Sequence, residues 1–365
     1  MDQAQVAEHY NTRRDEGRQG RRQSRILQLR NLNNWVKSVL ISLHLRPGYA
    51  VLDLACGKGG DLQKFVRGHV SLWVGVDHAR VSLQHALQRY NELPDEQRVF
   101  PAFLICADAF GVPLEPHWDR AWPKFDLVSC QFAMHYAFES AERVRMLLRN
   151  VTARLKPGGF FIGTTPDANV LVRKLRAAPG WWFGNSVYRI EFEPPPSSET
   201  TPLKAGGDDQ ADTTAPAAAK TFPADRPYGI RYRFTLDENV EDCPEYLVHF
   251  PSLEVLAREE FGLELLLQMN FHEFFHTFAL AKDAPPTYRE LLRVMRVFHP
   301  ESHSLSSEEW DAAYLYTVFA FRKVAANGDG GACPSWPGLV DEKDWPCRPC
   351  ARLDPEQAIV DVGKD

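Results

Sequence analysis

No run of eighteen apolar residues occurs anywhere in the 365-residue chain, and Met1 is followed by polar sequence. Neither a membrane span nor a signal peptide is therefore expected. Cysteine is scarce and odd in number, at seven, with Cys56, Cys106 and Cys130 inside apolar runs that read as core strands. That fits a reducing compartment. Zinc chemistry lacks its ligands: Cys347-x-x-Cys350 has no second pair, Cys333 stands alone, and no histidine follows His303. No metal is expected. A net charge of −6 argues against indiscriminate nucleic-acid binding. Charge is unevenly spread, however. Arg13, Arg14, Arg18, Arg21, Arg22, Arg25, Arg30 and Lys37 crowd the N-terminal stretch, opposed there by Asp15 and Glu16. Such a basic edge can meet a phosphate-rich partner locally, although basic runs are more often solvated helix faces.

The chain is organised around Val51-Leu52-Asp53-Leu54-Ala55-Cys56-Gly57-Lys58-Gly59-Gly60-Asp61-Leu62. Its apolar run is short enough for a buried parallel strand. The glycines allow a sharp turn that brings backbone N–H groups close to a ligand, with a helix starting near Asp61. Strand, glycine turn and helix form the first unit of a doubly wound sheet, with the ligand site at the strand's carboxyl end. The glycine spacing is not G-x-G-x-x-G, and no Walker-type lysine with Ser or Thr follows. Asp53 ahead of the turn and Asp77 at the end of the next strand resemble the pattern of S-adenosylmethionine (SAM)-dependent methyltransferases.

Periodicity predicts an amphipathic helix over 24–43, stopped by Arg46-Pro47-Gly48, then strands at Trp73–Asp77, Phe103–Cys106, Phe125–Cys130 and Phe160–Thr164. A helix over 81–90 follows the second strand, and one over 139–155 closes at Lys156-Pro157-Gly158-Gly159. Alternating strands and helices imply a mainly parallel α/β sheet. The Pro-, Thr- and Ala-rich stretch 194–220 reads as a disordered insertion within the domain. Beyond it, Arg231–Phe234 alternates, Glu245–Phe250 reads as a strand, 253–261 as a helix, and Ser306 or Ser307 caps a short helix before an aromatic strand over 314–321. The expected organisation is a basic segment over 1–23, one domain over 24–323, and a frayed tail over 324–365.

Seven ordered blocks together resemble the eukaryotic mRNA cap guanine-N7 methyltransferases. They are Val6-Ala7-Glu8-His9-Tyr10-Asn11, Arg30-Asn31-Leu32-Asn33-Asn34-Trp35-Val36-Lys37, the glycine turn, Ser129-Cys130-Gln131-Phe132 with His135-Tyr136, Phe161-Ile162-Gly163-Thr164-Thr165-Pro166, Pro244-Glu245-Tyr246-Leu247, and Leu315-Tyr316-Thr317-Val318-Phe319-Ala320-Phe321. The resemblance implies a Rossmann-like class I methyltransferase fold with N-terminal helices and a cap-binding second half. It assigns SAM contacts to Lys37, Ala55, Asp77, Asp108, Gln131 and Tyr136, and departs from the family pattern at Ala55, where glycine is usual. Physics suits these roles: a ribose wants a carboxylate acceptor, as does adenine's exocyclic amine, and a lysine can pair with the methionine carboxylate.

For the cap, the resemblance assigns Asn33, Asn34, Lys58, Lys64, Arg89, His135, Glu245 and Tyr316. Lys58, Lys64 and Arg89 would meet the triphosphate bridge, and Glu245 would accept from guanine N1–H and its exocyclic amine. Guanine N7 carries a lone pair and no proton, so no dedicated catalytic acid or base is assigned. The implied substrate is the 5′-cap of nascent mRNA, with the nucleus as location, a monomeric enzyme, and other capping enzymes or the transcription machinery as candidate partners. Two alternatives stay open: a class I methyltransferase acting on another RNA or a small molecule, and a non-catalytic cap-binding scaffold, to which only Ala55 points.

Overall fold

The computed structural model describes residues 24–194, 220–222, 226–238, 240–324 and 350–362. The basic segment over 1–23, the Val6–Asn11 block and nearly all of the 194–220 insertion lie outside the described residues. Helix α1 (Leu27–His44) buries Leu29, Leu32, Trp35, Val36, Val39 and Leu40 along one stripe. Strand β1 (Ala50–Leu54) is buried throughout, as a strand covered on both faces must be. There follow α2 (Leu62–Arg67), β2 (Leu72–Asp77), α3 (Arg80–Asn91), β3 (Ala102–Cys106) and β4 (Phe125–Gln131).

After β4 the structure departs from the expected helix over 139–155. A 3-10 turn at Met134–Glu139 comes first, and α4 (Ala141–Thr152) then starts at the Ser140 cap, whose hydroxyl accepts the Arg143 N–H. Leu155 already belongs to β5 (Leu155–Pro166). The Lys156-Pro157-Gly158-Gly159 stretch is a bulge rather than a helix stop: Phe125 of β4 faces Leu155, yet Leu127 faces Phe160. Helix α5 (Ala168–Ala177) leads to a separate antiparallel sheet of β6 (Trp182–Gly184), β7 (Tyr188–Phe192), β8 (Arg231–Leu236) and β9 (Val240–Tyr246). The insertion thus joins β7 to β8, two strands that pair from Phe192 opposite Tyr232.

Glu245 lies near the end of β9 and not at the start of a strand over 245–250, because Phe250 opens α6 (Phe250–Phe261), with Pro251 in its first turn. The chain continues through β10 (Leu263–Asn270), α7 (Phe271–Phe275), α8 (Pro286–Val294), α9 (Ser307–Ala313) and β11 (Tyr316–Lys323). A last strand, β12 (Ile359–Asp361), pairs parallel with β3. The frayed tail expected over 324–365 therefore does not extend to 350–362. There Arg98 donates to the Cys350 carbonyl at 2.9 Å, and Asn91 exchanges hydrogen bonds with the Leu353 backbone at 2.8 Å.

The main sheet has eight strands in the order β10-β11-β5-β4-β1-β2-β3-β12. Strands β10 and β11 run antiparallel to their neighbours, and the other pairings are parallel. Strand order reverses between β1 and β4, which opens a crevice at their carboxyl ends.

Candidate active site

A cavity of about 220 Å³ lies in that crevice, and Ala55, Asp77, Asp108, Gln131 and Tyr136 all line it. The first four sit at or just past the end of a parallel strand, and Tyr136 in the 3-10 turn that follows β4, so the sheet itself gathers them. Gly57 (φ 54°) and Gly59 (φ 67°) turn the chain after β1 in the left-handed conformation that glycine adopts freely. A Cβ on Gly59 would stand 3.2 Å from that of Ala86, so the turn also packs tightly on α3.

Asp77 has two tasks. Its Oδ2 accepts the Gly57 N–H and its Oδ1 the Ala79 N–H, both at 2.8 Å, which ties the glycine turn to β2. Burial pushes its carboxyl pKa up, against the opposing pull of His78 and the two N–H donors. Each oxygen keeps a second lone pair for a ligand hydroxyl. Asp108 accepts from the Phe110 N–H at 3.0 Å and from the Arg143 guanidinium at 3.1 and 3.0 Å, which fixes its orientation. Gln131 is held by Ser129 at 3.1 Å and by the Thr164 hydroxyl at 3.2 Å. Val76, Ala107 and Phe110 supply apolar walls to the same cavity. Carboxylate acceptors beside apolar faces suit an adenosine, so the residues present fit SAM.

Lys37 is not on that wall. It pairs with Asp61 at 2.8 Å, directly after the glycine turn, and Lys64 shares the same carboxylate at 2.7 Å. Burial alone would raise the Asp61 pKa, but Lys37 and Lys64 hold it well below the usual carboxylate range. Lys64 also donates to Asn34 Oδ1 at 2.6 Å, so Asn34, Lys37 and Lys64 form one polar cluster. Asn33 lies one residue along α1, its side-chain oxygen buried with no hydrogen-bond partner among the described residues. Lys58 stands in the glycine turn and Arg89 in the last turn of α3, both partly exposed.

His135, Glu245 and Tyr316 form, with Tyr232, a second group of side chains beside the cavity. Tyr232 and Glu245 are direct cross-strand neighbours on β8 and β9, and the Tyr232 hydroxyl donates to Glu245 Oε2 at 2.7 Å. Burial and the neighbouring Glu245 charge raise the Tyr232 pKa well above its ordinary value, which keeps it a proton donor. His135 Nε2 stands 3.4 Å from Glu245 Oε1, and neither ring nitrogen of this buried histidine completes a hydrogen bond. Buried polar atoms left in this state call for a polar ligand. Phe132 lines the cavity and turns its ring edge-on to Tyr316 at 5.1 Å, while Tyr136 stacks beside His135 at 4.2 Å. The two sites therefore share a wall.

Sequence reasoning assigned no role to Phe132, Tyr232, Asp61 or Arg143. Phe132 sits within a quoted block, but its φ of 56°, rare for a bulky residue, shows only in the backbone. Tyr232 fell in a stretch read only as alternating. Among the described residues, no group of three or more His, Cys, Asp or Glu could hold a metal ion.

Comparison with known proteins agrees with this geometry. The family model described as the mRNA (guanine-N(7))-methyltransferase domain matches residues 1–324. A protein of Oryza sativa subsp. japonica, mRNA cap guanine-N(7) methyltransferase 1, is 45% identical over 325 residues, covering 87% of this chain and 80% of its own. The Arabidopsis thaliana protein of the same description is 43% identical over 326 residues, with the same coverage. The mRNA cap guanine-N(7) methyltransferase of Saccharomyces cerevisiae is 37% identical over 334 residues, covering 87% of this chain and 70% of its own.

Proposed function

The chain belongs to the mRNA (guanine-N(7))-methyltransferase family, and from that premise we propose which of its residues perform the reaction. The enzyme transfers a methyl group from SAM to N7 of the 5′-terminal guanosine of capped mRNA. SAM supplies the sulfonium methyl. Asp77 accepts from the ribose hydroxyls and Asp108 from the adenine amine, between the apolar walls of Val76 and Phe110. Gln131, Tyr136 and Ala55 close the cavity on the side of the Glu245 group. Lys37 meets the methionine carboxylate while Asp61 holds it beside the glycine turn.

Guanine occupies the pocket of Glu245, His135, Tyr232 and Tyr316. Tyr232 takes one lone pair of Oε2, which leaves Oε1 and the other Oε2 lone pair to accept from guanine N1–H and its exocyclic amine. Adenine lacks that donor pair. Asn33 and Asn34 frame the cap, and Lys58, Lys64 and Arg89 bind the triphosphate bridge. N7 needs no base to attack. The rate therefore comes from alignment where the two sites meet beside Phe132 and Tyr136, and from the Glu245 charge near a purine that becomes cationic. The shared wall is the observation that carries this reading.

The test is Glu245→Gln. The amide keeps the shape but presents a donor to guanine's donors, so kcat/KM for capped RNA should fall about a hundredfold or more. SAM affinity by calorimetry should stay unchanged. Near-normal cap methylation would remove Glu245 from the guanine pocket. Nuclear location, monomeric action, and work beside other capping enzymes or the transcription machinery complete the proposal.

A further inference from the structure

A larger cavity, of about 830 Å³, opens between the C-terminal half of α1, the end of α2 and the start of α8. Its charge is one-sided. Arg46, Lys64, Arg67 and His69 line it against a single acid, Glu290, which Arg293 engages at 3.1 Å. Arg46 donates to the Leu45 carbonyl at 2.7 Å, and among the described residues neither it nor the exposed Arg67 has a carboxylate partner. Ile41, Leu45 and Leu291 supply an apolar floor.

The groove is continuous with the polar cluster at the active site. Lys64 lines it and also donates to Asn34 at 2.6 Å. Ser38, Ile41 and Ser42 follow Asn34 at helical spacings on one face of α1, with Leu45 just past its end. At 1.5 Å per residue that face runs about 16 Å from Asn34 to Leu45. A polyanion held by Lys64 thus meets a strip of apolar surface edged by unpaired cations.

We propose that this groove carries the RNA chain as it leaves the triphosphate bridge, with the phosphates of the first transcribed nucleotides against Arg67 and Arg46 and their sugars and bases over the apolar floor. This rests on the placement of the triphosphate at Lys64. Phosphate contacts of this kind add affinity without sequence preference and make it salt-dependent.

The test compares full-length wild type, Arg67→Glu, Arg67→Lys and the double variant Arg46→Gln/Arg67→Glu on GpppG dinucleotide and on capped RNAs of increasing length. For wild type, KM should fall as the first few nucleotides are added and then level off. The Arg67→Glu single variant and the double variant should keep wild-type kinetics on the dinucleotide. On the longer RNAs KM should be about tenfold higher for both than for wild type, with the salt slope reduced by about 0.7 per lost contact. Arg67→Lys should retain the gain. The groove assignment fails if KM for wild type does not depend on length, or if the variants use long RNA as wild type does. It fails equally if they lose activity on dinucleotide and RNA alike. A wild type that methylates neither dinucleotide nor RNA would instead overturn the cap site itself.

Discussion

Ala55 has a φ of 53° and lines the SAM cavity where the family pattern carries glycine. An L side chain in the left-handed region costs roughly 1–2 kcal/mol, and the residue also borders the ligand space. Ala55→Gly should therefore bind SAM several-fold more tightly by calorimetry, without loss of melting temperature. Unchanged or weaker binding would show that the methyl does not crowd the cavity and that the strain is absorbed locally. The resemblance assigned Asp77, Asp108 and Gln131 at or near the ends of parallel strands, and the structure brings the three to one cavity. The resemblance assigned Lys37 as well, but not its Asp61 partner, which belongs to another element. Tyr232 and Glu245 lie thirteen residues apart, and only the register of β8 with β9 brings them together.

Elements read well where one hydrophobic pattern dominates and poorly where turn chemistry has two outcomes. Lys156-Pro157-Gly158-Gly159 has the composition of a helix stop, yet β4 pairs on both sides of it and makes it a bulge. Leu263–Asn270 is rich in helix-forming leucines, but its residues alternate between more and less buried positions as an edge strand beside β11. Tertiary pairing overrides propensity there. The cap of α9 was legible, and Ser306 and Glu309 do form a capping box. Its second role was not. Glu309 Oε1 also accepts the Leu29 N–H at 3.0 Å, and so caps the first turn of α1, which has no side-chain cap from its own Ncap residue, Ile26. One carboxylate thus secures two helix starts. Ser306→Ala should cost about 1 kcal/mol, and Glu309→Ala about twice that because it frees donors at both helices. Thermal unfolding of the two variants checks this. Equal losses would mean that the link to α1 adds nothing.

At the scale of the whole molecule, the parallel half of the sheet was legible because βαβ alternation leaves few topologies. The antiparallel edge and the separate sheet bearing Glu245 were not, since nothing local states where they dock. The sheet also buries titratable groups that tie stability to pH. Burial, then the Asp61 charge, pushes the Asp53 carboxyl up to about 8. The folded chain thus keeps a proton that the unfolded chain releases near pH 4, so this stabilising contribution is lost progressively as pH rises from about 4 to about 8. His44 acts in the opposite sense. Burial, partly offset by its bond to the Leu40 carbonyl, pushes its pKa down to about 4, and stability falls as pH drops from 6.5 toward that value. Between about pH 4 and 6.5 the two groups oppose each other, so wild type should lose melting temperature chiefly as pH rises from about 6.5 to about 8. Asp53→Asn, which mimics the protonated carboxyl, should flatten the fall between about pH 6.5 and 8 and uncover the His44 loss below 6.5, and an unchanged slope between 6.5 and 8 would place the titration elsewhere. The central claim concerns chemistry at a guanine held against a SAM cavity. Its most direct measurement is incubation of the chain with methyl-labelled SAM and unmethylated GpppG-capped RNA, followed by digestion to nucleosides. The predicted result is label in N7-methylguanosine from capped RNA alone. Label in internal bases, or on RNA without a cap, would contradict it.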